Sequence, residues 1–342
     1  MIMSVAVEAF VWGPCNMNED ATISVVVDTE EEFDWSRPLS RESTAVRNVT
    51  YQDRAHQVFR RFGVVPTYVV DYPVAHNADA VAALSRLADN GEAEIGAHLH
   101  PWVNPPHDEP VSPFNSYAGN LPPLLERAKL EALTDRIKSA FGVRPLVYRA
   151  GRYGLGPQTY THLHELGYDL DTSVVPYTSF AADGGPDYSR VGGSVHWCGP
   201  DAAVLEVPVT TGFCGVMRQA GPAIYPRLTG QAAMRLRAPG LAARLGLLER
   251  IRLTPEGPRS NDMGRLVRTL FAAGHRHFVL SYHSPSLVPG NTPYVRNADD
   301  LASFLANIEA FLAYFVHDLG GVPATLSQVY ARAAAEYGRK GP

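Results

Sequence analysis

Short apolar runs rich in β-branched residues alternate with amphipathic segments along most of the chain, and this alternation limits the fold more than any other feature of the sequence. The apolar runs have the composition of strands, and the segments between them have the periodicity of helices. Strands that alternate with helices in this way form a parallel sheet with right-handed crossovers. We therefore predict an α/β fold.

Seven apolar runs predict strands, and this number favours closure into a distorted (β/α) barrel of about seven parallel strands over an open sheet. The runs cover residues 21–28, 64–70, 93–100, 144–150, 168–175, 202–210 and 277–283. Around residues 210–275 the pattern becomes mainly helical, which we interpret as a helical insertion beside the site. The prediction is a single barrel domain over residues 21–342, preceded by an N-terminal extension over residues 1–20.

The charge, the cysteines and the lack of long apolar runs narrow the functional class. The formal net charge of −5 offers no basic surface of the kind that nucleic acid binds. The cysteines, Cys15, Cys198 and Cys214, have neither zinc-site spacing nor a disulfide framework, which suits a reducing compartment. We find no export signal and no run of the roughly 20 apolar residues that span a bilayer. We expect a cytoplasmic protein without a nucleic-acid partner or a membrane span, and its oligomeric state is left open.

Ionisable residues stand at the carboxyl ends of five predicted strands, where parallel barrels and sheets carry their active sites. An acidic cluster follows the first strand, a histidine pair ends the third, and single or paired charged residues end three others. These residues are Asp28, Glu30, Glu31, Glu32 and Asp34, then His98 and His100, Arg149 and Arg152, Asp169 and Asp171, and finally His283. The sequence therefore predicts one polar site at this rim.

The histidine pair indicates a metal site when it is combined with the acidic cluster. His98 and His100 are two residues apart, so on a strand their side chains point to the same face. Two imidazoles and one carboxylate are a common ligand set for Zn²⁺ or another divalent ion. The carboxylate is left open between Glu30, Glu31 and none. His107, in the following loop, is the alternative to His100 as the second histidine ligand.

Five segments carry these polar residues in order: "VVVDTEEEFDW", "EIGAHLHP", "YRAGRYG", "LGYDLDTSVVP" and "LSYHSP". Together they resemble the motifs of the polysaccharide deacetylase family, the carbohydrate esterases that share the NodB homology domain. The resemblance extends from residue 21 to about residue 330. Each motif is weak alone, and the specificity comes from finding all of them in the family's order.

The resemblance implies a distorted (β/α) barrel and a metal-dependent hydrolase that removes an acetyl group from an N-acetylated sugar or glycoconjugate precursor. Carried over by position, Asp28 would be the general base, Arg149 would orient it, and His283 would be the general acid. Zn²⁺ is the expected ion, with Glu30, His98 and His100 as its ligands. The expected substrate contacts, all beside these motifs, are Trp102, Arg152, Tyr153 and Asp171.

Two departures from the family pattern keep other functions open. Thr29 stands where the family has a second, metal-binding aspartate, so Glu30 or Glu31 must replace it or the ligand is lost. The family's histidines lie four residues apart, whereas His98 and His100 are two apart. One alternative is hydrolysis of a non-sugar C–N bond, such as a formamide or a cyclic ureide, on the same scaffold. The other is a catalytically inactive barrel that binds a carbohydrate or a partner protein.

Overall fold

The computed structural model describes residues 21–230, 233 and 235–336, so the predicted N-terminal extension over residues 1–20 lies outside the described residues. In chain order the strands are β1 Thr22–Thr29, β2 Thr67–Val70, β3 Glu94–Leu99, β4 Val147–Ala150, β5 Leu170–Asp171, β6 His196–Cys198, β7 Val204–Glu206, β8 Thr211–Cys214, β9 Glu249–Arg252, β10 His277–His283 and β11 Val322–Pro323.

A mostly parallel sheet forms the centre of the fold. Seven strands lie parallel in the order β10-β1-β2-β3-β4-β5-β7 and curl into a half-barrel surrounded by helices. β6 is added antiparallel to β7, and β11 pairs with the start of β1. The predicted distorted barrel of about seven parallel strands is therefore confirmed.

The helices pack around this sheet and connect its strands. They are α1 Asp53–Arg61, α2 Tyr72–His76, α3 Ala78–Asp89, α4 Pro123–Phe141, α5 Thr159–Glu165, α6 Gly221–Leu228, α7 Ala238–Arg244, α8 Ser260–Ala272, α9 Ala298–Ala313 and α10 Leu326–Glu336. Local sequence sets several of their ends. The side chain of Asn77 accepts a hydrogen bond from the Ala80 amide at the start of α3, and Gly142 ends α4 with a φ of 70°.

The strands next to the site are buried on both faces. All residues of β1 are buried, as are the central residues of β10, from Phe278 to Tyr282. Strands covered on both sides read as continuous apolar runs, which is why the predicted strand 277–283 matches β10. Cα partners across these two strands include Asp28 and His283, so the ladder itself brings these two polar residues side by side.

The fifth predicted strand, 168–175, is much shorter in the structure. Only Leu170–Asp171 lies in the parallel ladder. Beyond Asp171 the regular pairing ends: the Thr172 amide still donates to the carbonyl oxygen of Tyr148, but the Val174 amide donates to the Glu206 carboxylate at 3.0 Å. No periodicity in the sequence indicates that a side chain serves as the acceptor there.

The predicted helical insertion at 210–275 is helical only in part. It contains α6, α7 and α8, but β8 and β9 form an antiparallel ribbon that the prediction missed. The sequence pattern predicts a helix that includes residues 249–252, with the sequence "ERIR". Ile251 is buried while its two neighbours are half-buried, which is the alternation of a strand. The ribbon matters for the site because Arg252 and Glu256 lie at its end.

Cys198 and Cys214 are both free thiols in the structure. Within the described ranges, no helix combines the length and the apolar character that crossing a membrane requires.

Replacing Phe278 by alanine should lower the free energy of unfolding by about 3–5 kcal/mol, because the fully buried ring would leave a cavity. Its ring centroid lies 5.8 Å from that of Phe315 and 5.3 Å from that of His275. Urea unfolding followed by circular dichroism measures the change. Phe114→Ala is the matched control: this ring is 53% exposed, so its loss should change stability by no more than about 0.5 kcal/mol. Equal losses for the two variants would contradict the assigned core.

Candidate active site and metal centre

A cavity of about 610 Å³ opens at the carboxyl ends of the parallel strands. Most of the residues predicted from the sequence to form the site line it: Asp28, Glu30, His98, His100, Trp102, Arg152, Tyr153 and His283. Arg149 is fully buried behind the wall. The predicted rim is therefore one continuous site, assembled from β1, β3, β10 and the loops that follow β3 and β4.

Glu30, His98 and His100 bring three potential metal ligands together. One atom from each lies within 4.8 Å of the other two. The Oε2 atom of Glu30 is 3.5 Å from Nε2 of His98 and 3.4 Å from Nε2 of His100. The two imidazole centroids are 4.5 Å apart. The spacing of two residues on β3 thus makes the two rings converge, as strand geometry requires.

Hydrogen bonds to the far side of each ring fix which nitrogen faces Glu30. His98 Nδ1 lies 3.0 Å from the carbonyl oxygen of Arg149, and His100 Nδ1 lies 2.7 Å from Oε2 of Glu31. Both partners are acceptors, so each Nδ1 carries the proton and donates it. Each Nε2 is then left with its lone pair directed at the site, which is the form that ligates a metal.

Glu31 acts as the support of His100. Its Oε2 accepts from the imidazole, and its Oε1 accepts from the Trp102 indole at 2.7 Å. The Trp102 ring also stacks on His100 with centroids 4.3 Å apart. The Glu31 amide donates to Asp71, whose other oxygen caps α2 at Val74. Burial raises the pKa of Glu31 to about 7, against the opposing effect of its hydrogen bonds.

The electrostatics of the three potential ligands favour a cation between them. Burial, reinforced by the neighbouring carboxylates of Glu31 and Asp28, raises the pKa of Glu30 well above its ordinary value. Burial lowers the pKa of His98 to about 3 and that of His100 to about 4. Both imidazoles are therefore neutral at pH 7 and cannot serve as counterions to Glu30.

These residues fit a divalent ion. Glu30 Oε1 is buried without a hydrogen-bond partner among the described residues, an arrangement that is costly unless a ligand satisfies it. A tetrahedral ion with bonds of about 2.0–2.1 Å separates its donor atoms by roughly 3.4 Å. The separations of 3.4 and 3.5 Å between Glu30 and the histidines agree with that spacing. Two imidazoles and one carboxylate suit Zn²⁺ and leave positions for water or substrate.

Asp28 and Arg149 form a buried ion pair beside the three potential ligands. Nη1 of Arg149 donates to Oδ1 of Asp28 at 2.6 Å, and its Nε donates to the carbonyl oxygen of Thr172 at 3.0 Å. Burial alone would raise the pKa of Asp28, but the charge of Arg149 and the adjacent imidazoles lower it to about 2. Asp28 is therefore a carboxylate at any working pH, with Oδ2 left for the cavity.

His283 faces Asp28 across the site and is held from behind by Glu256. Its Nδ1 donates to Oε2 of Glu256 at 2.8 Å, while its Nε2 lies 3.7 Å from Oδ2 of Asp28. Glu256 is fixed in turn by Ser286, whose hydroxyl donates to Oε1 at 2.6 Å. Burial alone would lower the pKa of His283, but Glu256 and then Asp28 outweigh it and raise the pKa.

The turn after β4 is strained where it enters the cavity. Arg152 and Tyr153 both have positive φ values, 53° and 61°, which non-glycine residues seldom adopt. Before them, Gly151 passes so close to His100 that a methyl group there would overlap the imidazole. Arg152 is paired with Asp183 at 3.0 Å. In this strained turn, Arg152 and Tyr153, both predicted substrate contacts, line the cavity.

Two sequence-based assignments change in the structure. Asp171, predicted to bind substrate, does not line the cavity. It is buried beside its ladder partner Glu206 and accepts a hydrogen bond from the Ser173 hydroxyl at 2.5 Å. His107, the alternative second histidine, is exposed. It belongs to neither group of potential ligands in the described chain, which are Glu30, His98 and His100, and Glu31, Asp71 and His100. The strand, and not the loop, brings an imidazole next to Glu30, so His100 remains the predicted second histidine ligand.

Sequence reasoning missed Glu256 and Asp71, which hold His283 and the backbone of Glu31. Neither residue stands at a spacing that a periodic pattern could reveal. Glu256 lies in the loop "TPEGP" after β9, and it comes near His283 because the ribbon of β8 and β9 packs against the rim. Of these two residues, Asp71 could have been found from the sequence, because it directly follows β2 at the same rim and precedes a helix as its N-cap.

Neither a protein-family model nor a curated protein sequence matches the chain. Solved structures do share its fold. A protein assigned as a polysaccharide deacetylase from Mycobacterium smegmatis is 17% identical, with a TM-score of 0.55 and 95% of each chain covered. One so assigned from Pseudomonas aeruginosa PAO1 is 15% identical, with a TM-score of 0.50 and 94% of this chain and 93% of that one covered. An allantoinase is 14% identical, with a TM-score of 0.52 and the same coverage. The structure therefore has the fold of polysaccharide deacetylases.

Replacing Glu31 by glutamine should weaken divalent-metal binding by roughly 10–100-fold. Glu31 accepts from two donors, His100 and Trp102, whereas a glutamine side chain has one acceptor oxygen, so one donor must lose its partner. Competition with a chromogenic chelator measures the affinity. Glu32→Gln is the matched control, because the adjacent carboxylate faces Arg47 and not the histidines. Equal metal affinities of Glu31→Gln and the wild type would show that Glu31 does not support His100 as a metal ligand.

Proposed function

We propose that this protein is a metal-dependent hydrolase that removes an acetyl group from an N-acetylated sugar or glycoconjugate precursor, with Zn²⁺ as its ion. One observation carries the proposal: the candidate ligands Glu30, His98 and His100 lie at the same cavity as a buried carboxylate, Asp28, and a charge-supported imidazole, His283. The fold shared with proteins assigned as polysaccharide deacetylases supports the choice of reaction.

Asp28 is suited to accept the proton of the attacking water. A divalent ion at Glu30 and the histidine pair would lower the pKa of water and polarise the carbonyl of the amide. Oδ1 of Asp28 is occupied by Arg149, so Oδ2 receives the proton. A carboxyl with a pKa of about 2 is a weak base, and it can deprotonate only water that is already acidified.

His283 is suited to protonate the departing nitrogen. Its Nδ1–H is held by Glu256, whose charge raises the pKa of the imidazole, and its Nε2 lies 3.7 Å from Oδ2 of Asp28 at the cavity. The balance of the reaction is simple: water gives its oxygen to the acetyl carbon and one proton to Asp28, and the C–N bond breaks. The nitrogen takes the Nε2 proton of His283 and leaves as an amine, and the other product is acetic acid, which ionises to acetate. The proton on Asp28 returns to Nε2 of His283, 3.7 Å away, and restores the site.

Hydrolysis of a non-sugar C–N bond is the second candidate, and the structural likeness to an allantoinase favours it. The same water activation and nitrogen protonation would serve either substrate. The inactive-barrel alternative depended on Thr29 in place of a second aspartate. Glu30, one residue later, offers a carboxylate to both histidines, which supports an active enzyme.

The proposal is tested by acetate release from a substrate panel with the Zn²⁺-loaded protein. The panel contains N-acetylglucosamine derivatives, chito-oligosaccharides, formamides and allantoin. We expect acetate from at least one N-acetylated sugar, loss of turnover after treatment with a chelator, and recovery on adding Zn²⁺. Turnover of allantoin or a formamide without acetate release from any sugar would favour the second candidate. If the metal-loaded protein turns over no member of the panel, the alternative of a catalytically inactive barrel is favoured.

A further inference from the structure

Of the three described arginines that line the cavity, Arg37, Arg152 and Arg252, all but one are paired with a carboxylate. Asp28 is paired with Arg149, and the outer pairs Arg37–Asp34 and Arg152–Asp183 have N–O distances of 3.1 and 3.0 Å. The exception is Arg252, at the end of β9. Within the described chain, no carboxylate oxygen lies within 4.0 Å of its guanidinium, although it lines the same cavity.

Arg252 is held in place by an aromatic side chain and not by a direct contact with a carboxylate. Its guanidinium carbon lies 4.7 Å from the centroid of the Tyr153 ring, and its Nη2 donates to the Tyr153 hydroxyl. Tyr153 is itself fixed on the cavity wall by the strained turn after β4. Nε of Arg252 is buried without an acceptor in the described part of the chain. A half-buried guanidinium with an unsatisfied N–H group and no direct ion pair is costly for a structural role and common where a ligand supplies the acceptor.

The carboxylates of Asp28 and Glu256 act on Arg252 through their charge, but the hydrogen bonds they accept come from other side chains. Asp28 accepts from Arg149, and Glu256 accepts from His283 and Ser286. Arg252 and His283 line the main cavity together, and they also share a smaller adjoining cavity of about 430 Å³. Arg252 therefore lies on the same side of the cavity as His283, the residue that would protonate the departing nitrogen.

We propose that Arg252 is an anion-binding subsite, and that the substrate is an N-acylated compound carrying a carboxylate or phosphate group that this guanidinium binds. The inference rests on the proposed function and narrows its substrate class. A planar guanidinium with unpaired N–H groups matches both anions, because each offers two oxygens at the spacing of its donors. An ion bound at Glu30 would add positive charge to the cavity and favour an anionic substrate further.

The test compares neutral and anionic probes of one sugar. Acetate release is measured with N-acetylglucosamine, with its 1-phosphate, and with N-acetylmuramic acid, which carries a carboxylate instead. We expect kcat/KM of the wild type to be higher for an anionic probe than for the neutral sugar. In Arg252→Gln, kcat/KM should fall roughly 10–100-fold more for that probe than for the neutral sugar. The phosphate and carboxylate probes show which anion is bound.

Direct binding separates this inference from the proposed function. Calorimetric titration of the metal-free protein with N-acetylglucosamine 1-phosphate removes any contribution of the ion. We expect a dissociation constant that rises at least about ten-fold in Arg252→Gln. Arg37→Gln is the matched control, because Arg37 lines the same cavity but is already paired with Asp34, and it should affect all probes alike.

The outcomes are distinct. Anion binding that depends on Arg252, without acetate release from any probe, would keep the subsite and reject the deacetylase. Equal kcat/KM of the wild type for neutral and anionic probes, or an equal effect of Arg252→Gln on both, would reject the subsite and keep the deacetylase. The comparison of probes with the wild type holds even where Arg252→Gln does not fold.

Discussion

Asp28→Asn should lower turnover by roughly 10²–10⁴-fold, the effect typical of losing a positioned proton acceptor. Asparagine has the same shape, and its side-chain oxygen can still accept from Arg149, whose Nη1 lies 2.6 Å from Oδ1 of Asp28. It cannot take a proton from water. Steady-state acetate release from metal-loaded protein measures the loss, with the metal content determined in parallel, since Asp28 is not among the candidate ligands.

The control for this prediction is Asp34→Asn. Asp34 belongs to the same acidic segment and lines the same cavity, but its carboxylate is paired with Arg37 at the exposed edge. Turnover of this variant should stay near the wild-type value. Near-normal turnover in Asp28→Asn would reject Asp28 as the base, and a folded Asp28→Asn protein that has lost its metal would place Asp28 among the ligands instead.

His283→Ala should also lower turnover by roughly 10²–10⁴-fold, because the departing nitrogen would have no proton donor. The loss should be largest for substrates whose amine is a poor leaving group and smallest for activated amides, which depart without protonation. Comparing an N-acetyl sugar with an activated aryl acetamide therefore measures the acid role itself. A uniform loss with both substrates would point to a structural role for His283.

Glu256→Gln tests the proposed acid role of His283 without removing its imidazole. Glutamine can still accept from Nδ1 of His283, but it removes the negative charge that raises the pKa of the imidazole. The acid must be protonated to work, so activity is lost as pH rises through the pKa of His283. Lowering that pKa should move the high-pH limb of the turnover profile to lower pH. An unchanged limb would mean that Glu256 does not support His283 electrostatically.

The residues at the rim of the site could be predicted from the sequence because they lie at the carboxyl ends of strands that the sequence itself indicates. β1, β3 and β10 are buried on both faces, so their continuous apolar runs mark where the polar residues begin. The spacing of two residues between His98 and His100 then predicts convergence, and their Nε2 atoms do converge on Glu30. Local periodicity was sufficient for these contacts because each depends on one strand and its neighbour.

Contacts made through irregular segments could not be predicted in the same way. Glu256 contacts His283 from a loop after β9, a strand of the antiparallel ribbon whose sequence pattern predicts a helix. Asp171 shares the strand-end position of the site residues, yet a hydrogen bond from Ser173 and the adjacent Glu206 hold it inside the sheet. In both cases a side-chain hydrogen bond decides the outcome, and such bonds depend on tertiary packing and not on periodicity.

The most direct test of the account is the divalent-metal content of the wild type and of His98→Ala, measured by elemental analysis after equilibration with Zn²⁺. If Glu30 and the two imidazoles of β3 form the metal centre, the wild type should retain about one equivalent of zinc per chain, and His98→Ala should retain almost none. A wild type that binds no divalent ion, or a His98→Ala variant that retains as much as the wild type, would contradict the central claim.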